Sequence, residues 1–196
     1  VIGNTTPKFQ GGFGLSGQWK NFDFTANFNY MVDFDVYNAT NYMLSSSISN
    51  TNNFYNVLAD FTQKNRWTYV RADGECLYKN TNIDGSVNEY ITMNAGKSLW
   101  NPADVEDKVT HSYFVEDGSF LRLQDVTIGY TLPSNLTKKW GMSKVRFYAS
   151  ASNLFILTGY SGYDPEVDVQ SGLTPSMDYN RYPRSRSFVF GTNITF

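Results

Sequence analysis

The sequence predicts an all-β chain: about five long antiparallel strands that form part of a transmembrane β-barrel, with long extracellular loops. Three observations carry this. Apolar and polar residues alternate over unusually long segments, the connections between those segments are alternately short and long, and the composition favours strands and turns over helices.

Aromatic residues make up 17% of the 196 residues, including 14 Tyr and 15 Phe, and charged residues only 17%. Asn, Ser and Thr fill much of the rest, a mixture poor in the Ala, Leu, Glu and Lys of helical domains. A net charge of −2 leaves no basic stripe to meet phosphates, so nucleic acid is excluded as a partner. Cys76 is the single cysteine and rules out an internal disulfide framework; with His111 as the single histidine, a Cys/His zinc site is not expected. No run of about 18 apolar residues occurs, which excludes a transmembrane helix. A barrel is untouched by that test, because it carries its apolar residues at every second position. The chain opens on Val1 with neither an initiator Met nor a signal peptide, as expected of a processed product or a piece of a longer one.

The first predicted strand, about 9–19, sets Phe9, Phe13, Leu15 and Trp19 against Gln10, Ser16 and Gln18. The second, about 21–36, is the clearest. Phe22, Phe24, Ala26, Phe28, Tyr30, Val32, Phe34 and Val36 form one face, and the other carries Asp23, Asn27, Asn29 and Asp33, the expected lumen-facing side. Such a length exceeds the usual strand of about 5–6 residues and suits one that crosses a bilayer in about 9–11 and projects beyond it. The third, about 119–132, alternates well from Val126 to Leu132, but Arg122 and Gln124 fall on its apolar side, which places that half outside the hydrocarbon. The fourth, about 144–157, sets Val145, Phe147, Ala149 and Ala151 against Arg146, Tyr148, Ser150 and Ser152. The fifth, about 186–196, puts Phe188, Phe190, Ile194 and Phe196 on one face with Thr192.

A tight turn joins the first pair of strands and a short Pro133–Gly141 link joins the third and fourth. Long loops, 37–118 and 158–185, fill the other two gaps. Short turns at one end and long loops at the other are what outer-membrane barrels show, with the short end periplasmic. Five strands cannot close a barrel, for which about 8 is the minimum, and an open lipid-facing edge is forbidden, so further strands are expected.

At this point the residues resemble the carboxyl-terminal portion of SusC/RagA-type TonB-dependent outer-membrane transporters. The segments that carry the resemblance are Glu116-Asp117-Gly118-Ser119-Phe120-Leu121-Arg122-Leu123, Val126 to Pro133, Arg146 to Phe155, Gly162-Tyr163-Asp164-Pro165-Glu166 and Tyr182-Pro183-Arg184-Ser185-Arg186-Ser187-Phe188. Their order and spacing fit throughout 116–196, the hairpin from about 8 to 36 fits as well, and 37–115 matches loosely around Asn65-Arg66-Trp67-Thr68. The resemblance implies a large transmembrane β-barrel of about 22 strands with a plug in its lumen, of which this chain is a part. It implies import of oligosaccharides or peptides across the bacterial outer membrane, powered by the TonB complex through a part absent from this chain, with a SusD-like surface lipoprotein as lid. It also implies that the barrel-assembly machinery reads the terminal aromatics Phe188, Phe190 and Phe196.

Other motifs are weaker. Gly12-Phe13-Gly14-Leu15-Ser16-Gly17 matches the dinucleotide fingerprint, but it lies within a strand and another strand follows, so small residues in a crowded lumen explain it better. Asp164, Glu166 and Asp168 could together hold Ca²⁺, although Pro165 interrupts and the calcium-loop pattern is not matched; a solvated loop is the favoured reading. Glu116/Asp117 and Asp104/Glu106/Asp107 are loop acids with no sign of catalytic separation, so no enzyme and no cofactor are expected. Tyr160, Tyr163, Tyr179 and Tyr182, with Trp67 and Trp100, put aromatic surface on the long loops, to stack on sugars, to meet a lid, or to pack among themselves. Trp19, Phe22, Trp140 and Phe196 fit an interfacial girdle at the short-turn end. Two rivals stand beside this reading: a soluble β-sandwich that binds carbohydrate, and a similar barrel recruited as a structural or assembly subunit.

Overall fold

The computed structural model describes residues 2–45, 56–61, 65, 69–70, 76–77, 92–93, 99–100, 112–166 and 175–196. In chain order the strands are β1 (Phe9–Trp19), β2 (Phe22–Val32), β3 (Asp35–Asn38), β4 (Tyr69–Val70), β5 (Cys76–Leu77), β6 (Thr92–Met93), β7 (Val115–Asp117), β8 (Phe120–Thr131), β9 (Lys144–Thr158), β10 (Met177–Asp178) and β11 (Ser187–Thr195). Two short helices, α1 (Ala39–Met43) and α2 (Ser134–Thr137), lie between them. The chain divides into two units, residues 1–37 with 115–196, and residues 38–114.

The first unit holds one five-stranded sheet in the order β1-β2-β8-β9-β11, each strand antiparallel to the next. The long strands therefore pair in the order they occur, an up-and-down meander. Lys20 and Asn21 form the tight turn, with Lys20 at φ 52°. The Thr131 N–H donates to the Asn21 carbonyl at 2.8 Å and the Ser143 N–H to the Thr195 carbonyl at 2.7 Å. The tight turn, the 132–143 link and the end of β11 thus lie at one end of the sheet.

The register settles the faces. Phe13 faces Phe28, Phe24 faces Ile128, Ile128 faces Ala149, and Ala149 faces Phe190. Directly opposed residues point to the same side of an antiparallel sheet, so one apolar face runs across all five strands. Most of it is bare, with Phe24 48% exposed, Ile128 56% and Phe190 79%, while Leu123 and Val145 on the same face are buried. A sandwich would have buried these rings against a second sheet.

The expected second strand is interrupted. Asp33 sits at φ 63°, which ends β2 and turns the chain into β3, within a separate small sheet ordered β10-β3-β7. Phe34 and Val36, expected on the outer face, are instead buried with Phe120 and Tyr160, with Met31 and Ile156 against them. The Glu116-Asp117-Gly118-Ser119 segment makes this kink. Asp117 Oδ1 accepts from the Ser119 N–H at 2.9 Å and from its hydroxyl at 2.6 Å, while Ser119 Oγ accepts from the Asp33 N–H at 2.9 Å. A Cβ on Gly118 would strike Phe34 and Val36, so only glycine allows that approach.

The third strand also corrects the sequence reading. Asn27 pairs with Asp125 and Phe28 with Leu123, leaving Gln124 as an extra residue. This β-bulge reverses the parity of β8. Leu121 and Leu123 join the apolar face opposite Tyr30 and Phe28, and Arg122 turns to the polar face opposite Asn29.

In the second unit the Asn38 side chain accepts from the Asn41 N–H and caps α1. Trp100 meets Phe61, Tyr113 and Phe114 edge-on, and its indole N–H donates to the Ser45 carbonyl at 3.3 Å. This ring is partly buried and packs against other aromatics of its own unit. Strands β5, β4 and β6 form a small sheet here.

Candidate functional site: the polar face and its loop-end charge cluster

The side of the sheet opposite the rings is mostly polar, and at the loop end it gives way to Met31, Phe120 and Ile156 of the buried cluster. Asp23, Thr25, Asn27 and Asn29 of β2 lie beside Asp125, Thr127 and Arg122 of β8. Thr127 Oγ1 lies 2.8 Å from Ser150 Oγ, and the Ser152 hydroxyl donates to Asp125 Oδ1 at 2.8 Å. Near the short-turn end Arg146 of β9 reaches over β8 to Asp23 of β2, two strands away. Its Nε donates to Asp23 Oδ1 at 2.9 Å and its Nη2 to Oδ2 at 2.5 Å. Its guanidinium also lies 5.4 Å from the Tyr148 ring centroid. Gly129 is what lets Arg146 pass, since a Cβ there would collide with the guanidinium. The Gly12–Gly17 run lies wholly within β1 and β2 follows it, so no helix N-terminus is present to meet a pyrophosphate.

At the loop end, three segments distant in sequence meet around Arg122, which is 4% exposed. Its Nη2 donates to Asp164 Oδ1 at 2.6 Å and its Nε lies 3.4 Å from Glu166 Oε2. Arg184 Nη2 donates to Glu166 Oε1 at 2.5 Å. Arg122, the Gly162–Glu166 segment and the Tyr182–Ser187 segment thereby form one network. Arg122, Asp164 and Arg184, with Asn153, Tyr163 and Arg186, line a cavity of about 280 Å³. The carboxylates weighed as calcium ligands are engaged by guanidinium groups; Asp168 lies outside the described residues.

The loop tyrosines divide. Tyr163, Tyr179 and Tyr182 are exposed, Tyr182 almost wholly. Tyr160, expected to offer contact surface, is buried in the loop-end core and its hydroxyl donates to Asp178 Oδ2 at 2.7 Å. Burial first, and then the Asp178 carboxylate, push its phenol well above the ordinary tyrosine range. Glu116 accepts from the Ser161 N–H at 2.9 Å and hydroxyl at 2.8 Å, a structural use rather than acid–base chemistry. Asp33 is exposed beyond the end of β2 and pairs with Lys8. Trp67, Asp104, Glu106, Asp107 and His111 lie outside the described residues, as does the Cys76 side chain. The sequence does not announce Arg122 and Arg184 as a site, because they lie 62 positions apart; the closeness of Asp, Glu and Arg within 116–123, 162–166 and 182–188 is the available signal.

The chain is similar along its whole length to TonB-dependent receptors. It is 32% identical over 202 residues to TonB-dependent receptor P3 of Formosa agariphila, covering 100% of this chain and 17% of the receptor. Over 86 residues, 43% of this chain and 8% of the relative, it is 41% identical to TonB-dependent receptor SusC of Bacteroides thetaiotaomicron. Among solved structures, the RagAB peptide importer in its open-open state matches 98% of this chain and 17% of its own, with 25% identity and a TM-score of 0.64. The RagAB peptide transporter matches 100% of this chain and 18% of its own, with 24% identity and a TM-score of 0.67. No family model matches. The chain spans about 17% of the length of the first two relatives that cover it fully. The resemblance read from the motifs stands, and these relatives are receptors, not enzymes.

Proposed function

We propose that this chain, which is of the SusC/RagA type in its resemblance, forms part of the barrel wall of an outer-membrane TonB-dependent transporter. The observation that carries the reading is the largely exposed apolar face that runs across five paired strands, with a mostly polar face behind it. Exposed rings in such number are costly in water and favourable in hydrocarbon. Asp23, Asn27 and Asn29 then face the lumen, with Asp33 at its rim, and the short turns face the periplasm. Phe188, Phe190 and Phe196 supply the terminal aromatic signal for barrel assembly.

The transporter imports an oligosaccharide or a peptide beneath a SusD-like lipoprotein lid, and TonB acts through a part of the receptor outside this chain. The likeness to a peptide importer supports the peptide alternative, and the likeness to SusC supports the same architecture. Tyr163, Tyr179 and Tyr182 are the exposed aromatics offered to ligand or lid, with Trp67 as a further candidate.

The test is positional. Tryptophan placed at Ile128 in the intact receptor is quenched by brominated lipid, whereas tryptophan at Thr127 is not. Equal quenching at both, or recovery of the receptor without detergent, refutes the membrane reading. Loss of oligosaccharide or peptide uptake on deleting the receptor separates transport from a purely structural role.

A further inference from the structure

We propose that the short-turn end of the sheet binds anionic phospholipid headgroups, with Lys20, Lys138 and Lys139 as the cations. This rests on the membrane reading above and adds to it a lipid preference and the residues responsible.

Lys20 forms half of the β1–β2 turn, and its ammonium lies 4.9 Å from the centroid of the Trp19 ring. Trp19 is 68% exposed and pairs with Phe22 on the apolar face. The ammonium therefore stands at the border of the apolar face, not on the polar side of the sheet. The 132–143 link brings a second group to the same end. Thr137 is fully buried and anchors the link, while Leu136, Lys138, Lys139 and Trp140 are left exposed before Gly141 turns the chain back at φ 69°. An exposed indole and an exposed leucine thus share this short link with two exposed lysines.

The charge is one-sided. Segments 19–22 and 132–144 contain lysines at positions 20, 138, 139 and 144 and neither Asp nor Glu. Asp23, the nearest acid in sequence, lies on the polar face and is clasped by Arg146. Lys144 sits on that same polar side, paired with Thr195 in the ladder, and is left out of the headgroup set. Lysine stems can lie along apolar surface while their ammonium groups reach the phosphate level, and basic side chains beside a membrane surface attract anionic lipid. Tryptophan at the same level fixes the depth. Continuity with the apolar face selects a lipid over a soluble anion: a free phosphate has no use for Trp19, Leu136 or Trp140.

The intact receptor is placed in nanodiscs of mixed phosphatidylglycerol and phosphatidylethanolamine, released in mild detergent, and its retained lipids are quantified by mass spectrometry. The wild type is expected to retain phosphatidylglycerol about threefold or more over its share in the bilayer, less so at high salt. The K20Q/K138Q/K139Q variant loses the enrichment and the matching Lys→Arg variant keeps it, both checked for folding by the shift in gel mobility on boiling. A folded, inserted wild type without enrichment, or an enrichment that survives the glutamine variant, overturns the inference and leaves the membrane reading intact. Failure of the wild type to insert overturns both. If the glutamine variant does not fold, single K20Q and K138Q receptors take its place, each expected to lose part of the enrichment.

Discussion

Arg146 and Asp23 are joined across an intervening strand, through a gap that Gly129 leaves open. The pair ties β9 to β2 over β8, so it resists shear between strands that are otherwise held only to their neighbours. Both side chains keep partial access to solvent, at 22% and 34%, so the bridge is worth on the order of 1 kcal/mol rather than the larger figure of a buried pair. Gly129→Ala should displace the guanidinium and cost about that much, and in an R146Q background it should cost little. The temperature of the gel-mobility shift, measured for both singles and the double, checks this; additive losses would argue that Gly129 matters for another reason.

The Arg122 network is more demanding. Arg122→Met leaves the buried Asp164 and the partly buried Glu166 with Arg184 as their remaining cation, and breaking a buried pair such as Arg122–Asp164 from one side costs about 3–5 kcal/mol. The 162–166 and 182–187 segments should become protease-sensitive while the short-turn end stays protected. Adding Asp164→Asn to R122M should restore part of the loss, which a double-mutant cycle would read directly.

The bulge at Gln124 sets which residues of β8 meet which face. Gln124→Ala should be tolerated, since the backbone carries the bulge. Deleting Gln124 should turn Arg122 outward and Leu121 and Leu123 inward, at a cost for the arginine of about 2–4 kcal/mol at mid-bilayer and less near the interface. Folding yield into vesicles should collapse for the deletion and not for the substitution.

Tyr160 gives a pH dependence with a defined sign. Its folded phenol titrates above its unfolded value of about 10, so its contribution is whole below that pH and fades as pH rises past it. The loop end of the wild type should loosen in alkali, followed by proteolysis between neutral pH and pH ~11. Tyr160→Phe should lose about 1 kcal/mol at neutral pH, from the hydrogen bond to Asp178, and show a flatter response to alkali.

The two faces of the sheet were legible in the sequence because strand geometry is local. A residue's side follows from counting by two, and Phe22, Phe24 and Phe28 needed no partner to be placed together. The same counting misplaced Arg122, Phe34 and Val36, since one extra residue or one left-handed residue resets the count. Neither Gln124 nor Asp33 carries a composition that announces this. A bulge is defined only against the strand it pairs with, here β2, whose own sequence lies nearly a hundred residues earlier.

The aromatic loops show a second boundary of the same kind. Tyr160 and Tyr163 are three residues apart and of one type, yet one is buried and the other open to solvent. What separates them is Asp178 and the rings of Phe34 and Phe120, brought close by the kink at Asp33. Alternation along the chain by itself determined that this protein makes long strands with one oily side and one wet side. Only the tertiary structure decided where that alternation breaks and which distant charges meet, because pairing register and ion-pair geometry depend on segments the local pattern cannot see.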